Sequence, residues 1–84
     1  MLRPSTDVVA RRLGDSAVLV HLSNNQIYEL NSTGARFWEL LEQGATLDAA
    51  ITTLADEFDA PRDEIASGLD ALIRGLTEQG LIVS

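Results

Sequence analysis

The sequence predicts an α+β fold in which a three-stranded antiparallel sheet is followed by three helices. Up to about residue 30 the chain consists of short runs rich in β-branched and apolar residues, separated by polar turns. Beyond that point the apolar residues recur at helical spacing. Gly44, Pro61 and Gly80 stand where helices would end or begin. A small sheet packed against a three-helix cluster is a winged helix-turn-helix-like arrangement.

The strands are predicted over Thr6–Leu13, Ser16–Leu22 and Ile27–Leu30, in a meander. Gly14 and the polar segment 23–26 supply the two turns, since glycine and asparagine tolerate positive φ. The second strand is nearly continuous in apolar character, which favours a strand with both faces covered.

The first helix begins at Asn31, Ser32 or Thr33, each of which can cap a free backbone N–H, and it ends at Gly44 in the left-handed conformation. Its predicted apolar stripe comprises Phe37, Leu40 and Leu41, with Ala35 and Trp38 flanking it.

The second helix starts at Thr46, and the third starts near Pro61, since proline suits a first helical turn, and stops at Gly80. The apolar tail at residues 81–83 is expected to pack back onto the domain. The predicted buried stripe of the second helix is Leu47, Ala50, Ile51, Leu54, Ala55 and Phe58, and that of the third is Ile65, Leu69, Leu72, Ile73 and Leu76.

With 84 residues, the chain is expected to form one domain over residues 1–84. It contains no cysteine and a single histidine, His21, which excludes disulfides, thiolate nucleophiles and multi-histidine metal sites within one chain. No signal peptide or membrane span is predicted. The expectation is a cytoplasmic protein without metal or cofactor.

The net charge of −7 is unevenly distributed. Residues 1–36 hold four arginines against three acids, whereas residues 37–84 hold ten acids against two arginines. The acidic helical half repels nucleic-acid phosphates and attracts a basic partner, unless it serves only as a solvated surface.

No catalytic constellation is present, so the sequence predicts a protein that is not an enzyme. There is no Walker loop, GxGxxG or GxSxG motif. His21 has no partner with which to form a triad and is interpreted as structural. The acids near the second interhelical turn are interpreted as helix-end charges rather than a cation site; they are Asp56, Glu57, Asp59, Asp63 and Glu64.

Helix three offers two flanks that could border a binding groove. Gly68 and Gly75 share one flank, although glycine costs about 1 kcal/mol relative to alanine inside a helix. Close approach by another backbone would explain them, as would a packed core that overrides propensity. The opposite flank carries Ala66, Asp70, Ile73 and Thr77. Tyr28 either packs inward or lines such a groove.

The segment Ile27–Leu41, in which a short strand meets Asn-Ser-Thr-Gly-Ala and then Phe-Trp-Glu-Leu-Leu, resembles the PqqD-like family of RiPP precursor recognition elements. The Val18-Leu19-Val20 strand, Gly44 and the closing Gly80-Leu81-Ile82 extend the resemblance over nearly the whole chain. Among subgroups it looks most like the stand-alone leader-binding proteins of lasso-peptide biosynthesis, which work beside a cysteine protease.

This resemblance implies that a precursor leader peptide binds as an added strand along the third predicted strand, in the cleft facing helix three. The implied strand residues are Ile27, Tyr28, Glu29 and Leu30. The implied helix residues are Ala66, Leu69, Asp70 and Ile73. The Asp70 carboxylate is expected to accept a hydrogen bond from a leader amide or to pair with a basic leader residue. The glycine flank is the alternative wall.

Three other functions remain open on the sequence. One is a chaperone that presents a precursor to a radical-SAM enzyme in pyrroloquinoline quinone synthesis. A second is a winged-helix DNA-binding protein, against which the acidic helical half argues because recognition helices carry Arg or Lys. The third is a structural subunit or toxin–antitoxin-like partner with no peptide groove.

Overall fold

The chain folds as a small antiparallel sheet followed by three helices, in a computed structural model that describes residues 2–83. The predicted α+β order of three strands and three helices is confirmed, with two further short strands at the chain ends. The strands are β1 (Arg3–Pro4), β2 (Val8–Leu13), β3 (Ser16–His21), β4 (Gln26–Leu30) and β5 (Ile82–Val83). The helices are α1 (Ser32–Glu42), α2 (Leu47–Glu57) and α3 (Arg62–Glu78).

Strands β2, β3 and β4 form a meander in that order, so β4 is an edge strand whose single neighbour in the sheet is β3. The turns use left-handed backbone at Gly14 (φ +64°) and Asn25 (φ +58°), as the sequence predicts. The register pairs Leu19 of β3 with Tyr28 of β4. Both side chains therefore point to the face of the sheet that carries the helices.

Only one face of the sheet is covered. Ala17 and Leu19 are buried beneath the helices, whereas Val18 and Val20 on the opposite face are half-buried and Ile27 beside them is 66% exposed. The expectation that β3 is covered on both faces is therefore wrong. Its apolar run includes Val18 and Val20, which are only half-buried on the face away from the helices.

Helix α1 forms the centre of the core. The Asn31 side chain caps it by accepting a hydrogen bond from the Gly34 amide at 2.9 Å. Gly44, with φ +86°, ends it in a Schellman motif, in which the Ala45 amide donates to the Leu40 carbonyl at 3.0 Å. The predicted stripe of Phe37, Leu40 and Leu41 is buried, and so are the flanking residues Ala35 and Trp38.

Helix α2 contributes less to the core than predicted. The Thr46 hydroxyl caps it, and Ala50 and Leu54 are fully buried. Leu47 and Phe58, however, are 39% and 38% exposed, so their assignment to the buried stripe is wrong. They stand at the two ends of the helix, beyond the single face that contacts α1 and α3.

Helix α3 follows Pro61 and packs through Ile65, Leu69 and Leu76, while Leu72 and Ile73 are half-buried. Gly80 (φ +73°) ends it, as predicted. None of the helices in the described part of the chain is long and apolar enough to cross a membrane.

The predicted packing of the C-terminal tail is confirmed in a form that the sequence did not specify. Strand β5 pairs with β1, and the Ser5 amide donates to the Leu81 carbonyl at 2.9 Å. Leu81 and Ile82 are buried. The two described ends of the chain therefore pair with each other, and the C-terminal end contributes to the core.

Candidate binding groove between β4 and α3

A cavity of about 430 Å³ lies between the edge strand β4 and the helix α3. Strand β4 and the start of α1 contribute Tyr28, Glu29, Leu30, Asn31, Thr33 and Gly34. The α2–α3 connection and α3 contribute Phe58, Ala60, Glu64, Ile65, Gly68, Leu69 and Leu72. Most of these side chains are apolar, which is typical of a ligand-binding cavity.

The free edge of β4 offers backbone groups of two particular residues. The Leu22 amide donates to the Asp7 carbonyl of the β2 side at 2.8 Å. Since bonding direction alternates along an antiparallel strand, Leu19 and His21 bond toward β4. Their partners include Tyr28, so the N–H and C=O groups of Ile27 and Glu29 point away from the sheet. Within residues 2–83, no second strand pairs with these groups.

Tyr28 closes one end of the groove by lying across α3. A Cβ placed on Gly75 would stand 2.9 Å from the Tyr28 hydroxyl oxygen, closer than real side chains approach. Gly75 therefore admits the tyrosine against the helix backbone. Tyr28 is half-buried, packs against the core and lines the cavity, so both interpretations left open by the sequence hold at once.

The corner between β4 and α1 is tightly packed. Leu30, the last residue of β4, is 3% exposed, and its Cδ2 atom would lie 3.3 Å from a Cβ on Gly34. Glycine at this position and the Asn31 cap allow the helix to start directly after the strand. The Asn-Ser-Thr-Gly segment thereby places the start of α1 directly beside the end of the edge strand, where Asn31, Thr33 and Gly34 line the groove.

The charge of the groove is negative. Glu29 and Glu64 are its charged lining residues, and no arginine lines it. None of the ion pairs found within residues 2–83 involves either glutamate; the arginines in those pairs are Arg12, Arg36, Arg62 and Arg74. In such a groove a basic ligand is favoured over an acidic one.

The structure brings together part of the predicted site. Tyr28, Glu29, Leu30 and Leu69 line the groove. Ile27 contributes outward-facing backbone, while its side chain lies on the uncovered face of the sheet. Ala66, Asp70 and Ile73 do not line the groove.

Asp70 is turned to the far side of α3. Its side chain is 73% exposed, and its Oδ2 atom accepts a hydrogen bond from Arg74 Nη2 at 3.0 Å. The α3 wall of the groove is formed by the glycine flank instead, at Gly68. A peptide contact by Ala66, Asp70 or Ile73 stays a prediction, and it requires a ligand on the opposite flank.

Several lining residues were not predicted, among them Phe58, Glu64, Ile65 and Leu72. The signal that points to Phe58 is its position: a large aromatic residue just past a helix end, beside the start of the next helix. Ile65 and Leu72 lie within one turn of Gly68, so the glycine flank, followed along the helix, leads to them.

Among the titratable groups of residues 2–83, Arg36 and Glu57 have shifted pKa values. Within residues 2–83, no three His, Cys, Asp or Glu side chains are grouped to hold a metal ion. The hydrogen bond from Arg36 lowers the pKa of the Glu57 carboxyl, and it correspondingly raises the pKa of Arg36. This pair, with both contacts at 2.9 Å, joins α1 to the end of α2, outside the groove.

Comparison with known proteins gives two structures with this fold. One, described as TbiB1 in complex with the TbiA(beta) leader peptide, is 28% identical, with a TM-score of 0.88 over 95% of this chain and 93% of that one. The other, a lasso peptide synthetase B1 complexed with the leader peptide, is 20% identical, with a TM-score of 0.86 over 99% and 98%, and supports the fold alone. No curated protein matches the sequence. The family described as coenzyme PQQ synthesis protein D (PqqD) matches residues 16–82. The chain belongs to the PqqD family.

Proposed function

We propose that the chain is a non-catalytic adaptor that binds the leader segment of a ribosomally made precursor peptide by β-strand addition and presents it to a maturation enzyme. The observation that carries the proposal is the unpaired edge of β4, which faces an apolar groove. The 28% identical TbiB1 has the same fold and is described in complex with a leader peptide.

Strand addition uses backbone groups that are otherwise left to water. Ile27 and Glu29 each offer one N–H and one C=O to an incoming strand. The leader's side chains then alternate, one set facing α3 across the groove and the other facing the uncovered side of the sheet.

Backbone pairing alone does not account for stable binding. Four hydrogen bonds contribute roughly 0.5–1.5 kcal/mol each, so about 2–6 kcal/mol in all. Association costs an estimated 4–15 kcal/mol or more. The side chains that enter the groove must therefore supply most of the affinity, through contact with its accessible apolar lining at Tyr28, Phe58 and Leu72.

The maturation enzyme in this proposal is the cysteine protease that removes leaders in lasso-peptide biosynthesis, acting in the cytoplasm where precursors are made. A second candidate is favoured by the family match: a chaperone that presents its precursor to a radical-SAM enzyme in pyrroloquinoline quinone synthesis. The two functions share the groove and differ in the enzyme recruited. Pull-down of each purified enzyme class by the peptide-loaded chain discriminates between them.

Amide hydrogen exchange tests the binding mode residue by residue. The probes are a synthetic TbiA(beta) leader peptide and peptides selected from a randomised display library. Bound peptide should slow exchange at Ile27 and Glu29, which face the free edge, and much less at Tyr28, which already pairs with β3. The matched controls are Ala10 and Arg12, whose amides face outward at the other sheet edge by the same alternation.

N-methylation of alternate peptide amides completes the test, because it removes main-chain donors and keeps the side chains. One of the two alternate sets should lose binding and the other should retain it. Equal loss for both sets, or protection at Ala10 rather than Ile27, would overturn strand addition at β4. Failure of every probe to bind would overturn the proposed function itself.

A further inference from the structure

Gly68 is a glycine that the folded chain does not require. Of the six glycines, Gly14, Gly44 and Gly80 have positive φ, and Gly34 and Gly75 are crowded by neighbouring side chains. Gly68 lies in the interior of α3, and a Cβ added there meets nothing within 4 Å. Alanine would favour the helix, so the glycine carries a stability cost that no contact in the structure offsets.

The place of Gly68 indicates what the missing side chain leaves room for. Gly68 lines the groove between Glu64 and Leu72, one turn to either side, with Ile65 and Leu69 buried at its base. A side chain at position 68 would extend into the groove. A strand paired with β4 lies about 5 Å farther out and turns every second side chain toward α3.

We infer that Gly68 is a specificity-determining residue, whose missing side chain makes room for one large apolar side chain of the bound peptide. The inference rests on the proposed function and adds to it the chemical class of the ligand. The ligand is an extended segment with an aromatic or branched aliphatic residue that packs beside Gly68 against Leu72 and Phe58, the apolar lining residues whose side chains stay accessible. A small residue at that peptide position leaves Phe58 and Leu72 uncovered, and an acidic residue faces Glu29 and Glu64 of the groove.

The test uses Gly68→Ala and Gly68→Leu, with Ser67→Ala and Ser67→Leu as matched controls. Ser67 is the preceding residue, is exposed and does not line the groove. Gly68→Ala should raise the melting temperature by about 4–8 °C, because it removes the helix penalty of glycine. The same variant should weaken binding, a combination that a merely structural glycine would not produce.

Specificity is measured by selecting randomised displayed peptides on the immobilised wild-type chain and on Gly68→Leu. The wild type should enrich a large apolar residue at one position. Gly68→Leu should bind the selected peptide roughly tenfold to a hundredfold more weakly, the usual effect of overfilling a packed site, and should enrich Ala, Gly or Ser at that position. The Ser67 variants should select the wild-type consensus.

The outcomes distinguish a failure of the inference about Gly68 from a failure of the proposed function. If the wild type enriches peptides but Gly68→Leu selects the same consensus with unchanged affinity, the inference fails and the proposed function stands. If the wild type enriches no peptide, the proposed function fails and the inference falls with it. Should Gly68→Leu not fold, Gly68→Ala, whose Cβ meets open space, decides the question by its affinity and consensus.

Discussion

The contact between Tyr28 and Gly75 gives a quantitative test of how the groove is closed. A Cβ at position 75 would lie 2.9 Å from the tyrosine oxygen, but its next-nearest neighbour, Cζ of the same ring, lies at 3.9 Å, an ordinary contact. Tyr28→Phe therefore removes the clash and leaves the ring. The Tyr28 hydroxyl makes no hydrogen bond to the described residues, so the phenylalanine variant alone should change stability by less than about 0.5 kcal/mol.

The expected magnitudes follow from two opposing terms. Replacing a helix-interior glycine by alanine stabilises by about 1 kcal/mol. Overpacking costs about 1–3 kcal/mol, and the lower end applies because Tyr28 is half-buried and its ring can tilt. Gly75→Ala alone should therefore be near neutral, whereas in the Tyr28→Phe background it should stabilise by about 1 kcal/mol. The coupling free energy is thus about 1 kcal/mol.

Urea unfolding measures this coupling, with the fluorescence of the buried Trp38 as the signal. Gly68→Ala is the matched control, because its Cβ meets open space. It should stabilise equally with tyrosine or phenylalanine at position 28. If Gly75→Ala stabilises the chain as much as Gly68→Ala while Tyr28 is intact, Tyr28 does not lie across the helix, and the groove is open at that end.

Three further predictions concern charged side chains. The hydrogen bond from Arg36 lowers the pKa of Glu57, so the stability that this pair contributes is complete above the ordinary glutamate pKa and is lost as the pH falls through the lowered pKa. In urea unfolding, Glu57→Gln should therefore be less stable than the wild type at neutral pH and equally stable at a pH below the lowered pKa. A stability difference that does not change with pH would contradict this. Glu64→Gln should weaken binding of a basic selected peptide at low salt and flatten its salt dependence in titrations, with Glu78→Gln, outside the groove, as the unaffected control. Asp70→Ala should leave peptide affinity within about twofold, whereas a tenfold loss would place the peptide on the opposite flank of α3.

The order of the elements was predictable because each boundary has a local chemical cause. Asn31 and Thr46 cap helices with their own side chains, and Gly44 and Gly80 take left-handed backbone that other residues adopt less readily. These signals act within a few residues of each helix end. They remain readable without knowledge of the tertiary structure.

The β1–β5 pair was not predictable in the same way. Each strand is two residues long, and one of them contains Pro4, so neither carries a periodic pattern. Their pairing depends on the return of the chain end after α3, a contact across almost the whole sequence. The wrong prediction that Phe58 is buried has a related cause. Helical spacing identifies the apolar face of a helix, but it does not show how much of the helix length is covered by neighbouring elements.

The flank of α3 that forms the groove wall was also not predictable from the sequence. Helical spacing correctly separates Gly68 and Gly75 from Asp70, but it does not determine which of the two flanks turns toward β4. That rotation is fixed by burial of Leu69 and Leu76 against the core, which leaves Gly68 facing the sheet edge and Asp70 facing solvent.

The two glycines of α3 share one flank, but the absence of a side chain has a different physical reason at each position. At Gly75 the space is filled by Tyr28 of this chain, and at Gly68, two turns earlier, it is open. The groove thus has a closed end, set by a residue of the edge strand itself, and an open stretch where the helix has no side chain. In the proposed complex, a peptide paired with Ile27 and Glu29 would place its bulkiest side chain at Gly68, because Tyr28 already fills the space at Gly75.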